Sequence, residues 1–119
     1  MERNECTILL VEDEFLIALD VQMRLQEAGY KVLDPVANVE DAMSTLDNAK
    51  VCAAILDMNI SGSTSFPIAE RLKAEGKPFI FLSGNDAYQL QESYSDRIVL
   101  TKPIDYEQLI FRVREICET

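Results

Sequence analysis

Five times along this chain a short apolar run gives way to a longer amphipathic stretch, and that alternation constrains the fold more than any other feature. The runs are Ile8-Leu9-Leu10-Val11, Lys31 to Val36, Ala53-Ala54-Ile55-Leu56, Phe79-Ile80-Phe81-Leu82 and Ile98-Val99-Leu100-Thr101. Most lack the polar alternation of a half-exposed strand. Such runs need cover on both faces, the condition of a strand in a parallel sheet flanked by helices. The pattern therefore predicts a doubly wound (βα)5 sandwich of three layers, α/β in class. Pro35 cannot donate a ladder hydrogen bond, which puts the second strand at a sheet edge and agrees with the order 2-1-3-4-5.

The intervening stretches read as helices. The first follows Asp13 and runs to Gly29, with Ile17, Ala18, Val21, Leu25 and Ala28 at helical spacing. The second covers about 39–47, and the third lies near 66–75 and stops at Gly76. The last opens at Asp105, a good N-cap, and turns Tyr106, Leu109, Ile110, Val113, Ile116 and Cys117 inward. Between Gly84 and Asp96 few apolar positions are periodic, so a short or mobile helix is expected there.

With 119 residues, 48% of them hydrophobic, the chain suits one domain with one core over 1–119, with no room for an output domain. No uncharged apolar stretch is long enough to cross a bilayer, and Met1-Glu2-Arg3-Asn4-Glu5 lacks a signal-peptide core, so a cytoplasmic location is expected. A formal charge of -10, from 21 acids against 11 bases, argues against direct nucleic-acid binding and favours a basic protein surface or a cation as partner. For the global charge the favoured reading is that acidic faces keep the domain soluble. The chain has no histidine, and Cys6, Cys52 and Cys117 have no metal-like spacing, which leaves zinc and histidine catalysis without ligands. The three cysteines read as reduced, mostly buried thiols.

The chemistry collects where strands stop. Glu12-Asp13 ends the first, Asp57 the third, Ser83 the fourth and Lys102-Pro103 the fifth. In open parallel sheets ligands bind beyond the carboxyl ends of the strands, at the point where strand order reverses. Three carboxylates there repel one another, Lys102 balances one charge, and an all-oxygen donor set suits Mg²⁺ for the remainder. Asp57, at the end of the central strand, is placed to attack phosphorus in line, with Ser83 and Lys102 as partners for the phosphoryl oxygens. Taken singly each feature has a duller reading. Glu12-Asp13 is an ordinary acidic helix start, Asp57 a turn cap, Ser83-Gly84 turn chemistry and Lys102-Pro103 a strand exit. Their joint position at successive strand ends carries the argument.

These residues, Glu12-Asp13, Asp57, Ser83 and Lys102-Pro103, resemble the response-regulator receiver domains of two-component signalling over essentially the whole chain, a flavodoxin-like fold. The resemblance implies Mg²⁺ held by Glu12, Asp13, Asp57 and the backbone carbonyl of Asn59, a cis Lys102-Pro103 bond, and phosphoryl transfer to Asp57 from a histidine kinase or phosphotransfer protein. It implies a stand-alone phosphoacceptor switch or relay, not an enzyme. Two departures narrow it. The loop Asn59-Ile60-Ser61-Gly62-Ser63-Thr64-Ser65-Phe66-Pro67 lacks the usual Pro-Gly, and Val99 stands where an aromatic switch residue is common. Pro78-Phe79-Ile80-Phe81-Leu82-Ser83-Gly84 looks instead like the subgroup with a Phe-Ala-Thr-Gly-x-Tyr motif, whose members are often stand-alone or act in alphaproteobacterial stress-type pathways. Tyr88 and Tyr94 are then candidates to move in place of the missing aromatic.

Phe15, Leu19 and Met23, at four-residue steps, fall off the main buried face of the first helix. They read either as a wide apolar face partly covered by loops or, as the resemblance implies, as a docking stripe for a kinase's phosphotransfer helix. Two rival functions remain. A phosphohydrolase with an aspartyl-phosphate intermediate would want an acid where Asn59 stands. A receiver-like interaction module that is not phosphorylated in the cell would keep the fold and discard the chemistry.

Overall fold

The computed structural model describes residues 7–84 and 97–117. Strands β1 (Thr7–Val11), β2 (Lys31–Val32), β3 (Ala53–Asp57), β6 (Phe79–Ser83) and β7 (Ile98–Thr101) form one parallel sheet in the order β2-β1-β3-β6-β7. Between β3 and β6 a separate antiparallel hairpin pairs β4 (Asn59–Ile60) with β5 (Ser63–Thr64). With the hairpin set aside, the sheet has the predicted 2-1-3-4-5 order.

Helices α1 (Phe15–Glu27), α2 (Val39–Asn48), α3 (Phe66–Ala74) and α4 (Tyr106–Cys117) cover the two faces. Alternate residues of the central strands supply two cores. Leu9, Val11, Ala54, Leu56, Phe79 and Phe81 pack with Ala42 and Leu46 of α2 and with Ile68, Ala69 and Leu72 of α3. Ile8, Leu10, Ala53, Ile55, Ile80 and Leu82 pack with Val21 and Leu25 of α1 and with Leu109 and Val113 of α4. Every residue of β3 and β6 is buried, which explains why those runs show no polar alternation.

The helix ends follow local chemistry. Asn38 accepts the Asp41 N–H at 2.7 Å, and Asp105 accepts those of Glu107 and Gln108 at 3.1 and 3.3 Å, so both helices start on a side-chain cap. At the end of α1 the Tyr30 N–H donates to the Leu25 carbonyl and the Gly29 N–H to that of Gln26, a closure that requires the positive φ of 99° that Gly29 supplies.

The edge strand departs from the expected run over Lys31 to Val36. The ladder pairs Ile8 with Val32 and then resumes as a single bridge between Val11 and Val36, one residue out of register. Pro35 is the cause. The Leu33 N–H donates to the Ile8 carbonyl, and regular spacing would ask residue 35 to donate to Leu10; Val36 does so instead at 3.0 Å. The Val36 carbonyl then accepts the Glu12 N–H at 3.0 Å, so the bulge anchors the backbone of the first acid.

Cys117 is in no disulfide, whereas Cys52 is disulfide-bonded, which corrects the expectation that it is reduced. Redox arguments from composition address the compartment and not proximity, and the Cys52 N–H lies against the Thr7 carbonyl at the start of β1. The helix expected between Gly84 and Asp96, with Tyr88 and Tyr94, lies outside the described residues. Val99 sits in β7, partly buried against the α2–α3 core.

Candidate functional site

Glu12 and Asp13 leave β1, and Asp57 closes β3 beside them. Because Val11 pairs with Leu56, the next residues of both strands, Glu12 and Asp57, emerge side by side. Glu12 is 2% exposed and Asp57 5%, while Asp13 is exposed. One oxygen from each lies within 4.8 Å of the others.

Lys102 enters from the far side of the sheet. Its N–H donates to the Ser83 carbonyl at 2.7 Å, and the Lys102-Pro103 bond is cis, as the resemblance implied. Its ammonium lies 3.0 Å from Asp57 Oδ2, 3.0 Å from Glu12 Oε1 and 3.4 Å from Glu14 Oε1. Ser83 is fully buried at the end of β6, one residue beyond Leu82, the strand partner of Asp57. Asn59 begins β4, two residues after Asp57.

Electrostatics at this strand end are set by burial and by crowding of like charge. Burial first, and the facing Asp57 carboxylate second, push Glu12 up to about 7. Burial by itself would lower Lys102, but the facing Glu12 and Asp57 carboxylates outweigh that and hold the ammonium above its ordinary value. Glu12 Oε1 is buried and, although near Lys102, makes no hydrogen bond of good geometry. A buried carboxylate oxygen with unused acceptor capacity, next to two more carboxylates, fits a hard divalent cation with oxygen ligands.

Two residues at the site escaped the sequence reading. Glu14 was passed over as part of a helix start, yet it caps α1 without a side-chain bond and directs its carboxylate to Lys102. The run Glu12-Asp13-Glu14 was the available signal. Ser61 donates its backbone N–H to Asp13 Oδ2 at 2.9 Å, and its hydroxyl donates to the Ala37 carbonyl at 2.8 Å. The Ser-Gly pair at 61–62 marked that turn.

The apolar positions on α1 are open: Phe15 is 71% exposed, Leu16 78%, Leu19 42% and Met23 50%. Leu16 joins the three expected. Phe15 and Leu19 also line a cleft of about 150 Å³ together with Glu12, Asp13, Pro35 and Ala37.

A doubly wound parallel sheet that gathers acids and a lysine beyond its carboxyl edge defines a CheY-like α/β domain. The family pattern of the response regulator receiver domain matches residues 8–114, and the chain belongs to that family. It is similar to the heme response regulator HssR of Staphylococcus haemolyticus, 31% identical over 113 residues, a match that takes in 91% of this chain and 50% of that protein. Among solved structures it resembles SdrG from Sphingomonas melonis Fr1 (32% identity, TM-score 0.82, 93% of this chain and 95% of that one). A response regulator receiver protein from Sinorhizobium medicae WSM419 is similar at 26% identity and TM-score 0.82, over 96% of this chain and 95% of that one. The chain spans about half the length of the curated relatives it matches. Among the described residues no helix is long and apolar enough to cross a membrane.

Proposed function

We propose that the chain is a Mg²⁺-dependent phosphoacceptor acting in the cytoplasm, with Asp57 receiving a phosphoryl group from a histidine kinase or phosphotransfer protein. The observation that carries this reading is the contact of Asp57 Oδ2 with Lys102 at 3.0 Å inside a cluster that includes Glu12 and Asp13.

Asp57 supplies the nucleophile. Its carboxylate oxygen attacks phosphorus in line, the P–N bond to the donor histidine breaks, and the departing imidazole keeps the electron pair, leaving an aspartyl phosphate. Glu12, Asp13, Asp57 and the Asn59 carbonyl would hold Mg²⁺, which when bound neutralises the acids and shares charge on the phosphoryl oxygens. Lys102, already 3.0 Å from Asp57, exchanges a carboxylate partner for a phosphoryl oxygen. The Ser83 hydroxyl, at the next strand end, serves as a second donor. These contacts bias the surface around β7 and the segment before it, and the switched surface or the relayed phosphoryl group is the output. The exposed stripe on α1 supplies the docking face for the donor's helix.

Intact mass after incubation with acetyl phosphate, with and without Mg²⁺, tests the reading. A single Mg²⁺-dependent phosphoryl adduct that Asp57→Asn lacks is expected. No adduct, with beryllofluoride also failing to bind, would replace it with an unphosphorylated interaction module.

A further inference from the structure

Ser61 is the one non-glycine residue with positive φ among those described, at 49°, and Gly62 follows at 79°. Two successive left-handed residues between Ile60 and Ser63 make the tight turn that joins β4 to β5. Glycine tolerates that conformation, whereas a side chain there costs about 1 kcal/mol and persists only where its surroundings over-determine it.

The surroundings do so from two sides. The Ser61 N–H donates to Asp13 Oδ2 at 2.9 Å, and its hydroxyl donates to the Ala37 carbonyl at 2.8 Å. Three loops are thereby tied at one residue: the one leaving β1, the one entering α2, and the hairpin after β3. We propose that Ser61 is a positioning residue for the acidic site, its backbone N–H holding the Asp13 carboxylate in the orientation a divalent cation requires. The inference rests on the metal-assisted phosphoacceptor reading and adds to it a residue that touches neither metal nor phosphoryl group.

The physical need lies in the exposure of Asp13. Glu12 and Asp57 are fixed by burial, but Asp13 is exposed and, without a tether, rotates freely. A hydrogen bond to one of its oxygens removes that freedom before the cation arrives and leaves the other oxygen available. Partners that orient a metal-binding side chain are worth about ten- to a hundredfold in affinity. The hydroxyl bond to Ala37 holds the turn against the neighbouring loop, and the N–H does the positioning.

The test is Mg²⁺ affinity of the full chain, by calorimetric titration, for wild type, Ser61→Gly and a chain with the Ser61 amide replaced by an ester, with thermal unfolding in EDTA for each. Glycine keeps the N–H and accepts the turn, so its affinity should stay within about threefold of wild type; the ester keeps the side chain but lacks the N–H and should weaken binding by about ten- to a hundredfold. An ester chain with wild-type affinity overturns the proposal, as does a glycine variant that loses as much as the ester. Lower stability of the ester chain in EDTA with unchanged affinity also overturns it, since the N–H would then serve only the turn. A wild type that binds no Mg²⁺ overturns the metal-site reading, and the inference with it.

Discussion

Lys102 reaches Asp57 across the sheet, its ammonium 3.0 Å from Oδ2 although the two residues leave strands separated by β6. Glu12, equally near and 2% exposed, makes this a lysine compensating two buried carboxylates at once. Replacing it, as in Lys102→Met, leaves both uncompensated, and removal of one partner of a buried ion pair costs about 3 kcal/mol. Chemical denaturation at pH 8 should show that loss without Mg²⁺, and a smaller one at pH 5, where Glu12 carries a proton. Equal losses at both pH values would mean that Lys102 contributes by packing alone.

Glu12 gives the metal-free protein a pH dependence of defined sign. Its folded value is raised from 4.5 to about 7, so between those limits the folded chain binds more protons than the unfolded one. Stability from this group is fully present below pH 4.5 and is lost as pH rises through about 7. A proton and Mg²⁺ compete for the same carboxylate, so Mg²⁺ affinity should fall by about tenfold from pH 8 to pH 6. Titration of wild type and Glu12→Gln in EDTA checks the first point: the variant should lose the stability slope.

Glu14 holds Lys102 from the solvent side at 3.4 Å, with its own side chain 62% exposed. An exposed pair of this kind contributes little to folding, so Glu14→Gln should change stability by less than about 0.5 kcal/mol. The rate of labelling by acetyl phosphate should rise by about two- to fivefold, because an anionic donor then meets one fewer carboxylate at the rim. A slower rate would show instead that Glu14 helps to orient Lys102 for the reaction.

Leu19, 42% exposed in the middle of the α1 stripe, separates docking from chemistry. Leu19→Glu should leave the unfolding midpoint and the acetyl phosphate rate unchanged while slowing transfer from the cognate kinase at least tenfold. Unchanged transfer from that kinase would remove α1 from the docking face.

Much of the fold was legible because β1, β3 and β6 are apolar without interruption and are buried on both faces. The principal site residues followed from the same runs, since a strand that ends at the carboxyl edge delivers its next residue there. The β4–β5 hairpin had no such signal. Two-residue strands such as Asn59–Ile60 and Ser63–Thr64 are too short for a hydrophobic period, and their pairing depends on a turn that the acidic loop holds from outside. Glu14 extended the acidic run after β1, but its role was hidden, because its partner lies 88 residues away and only the folded sheet brings Lys102 to it. The register slip at Pro35 was half visible: proline marked an edge, but which residue would donate in its place depended on the neighbouring strand.

That slip gives the domain a point of adjustment remote from its cores. The Val36 carbonyl grips the backbone of Glu12, yet Leu33 to Val36 lie at the sheet's margin, beyond the last full ladder pair. Sequence drift at this margin can alter the seating of the innermost acid while the central strands stay unchanged. Related chains can therefore diverge in ion preference or in the persistence of their signal through peripheral substitutions, with the two cores shielded from the experiment.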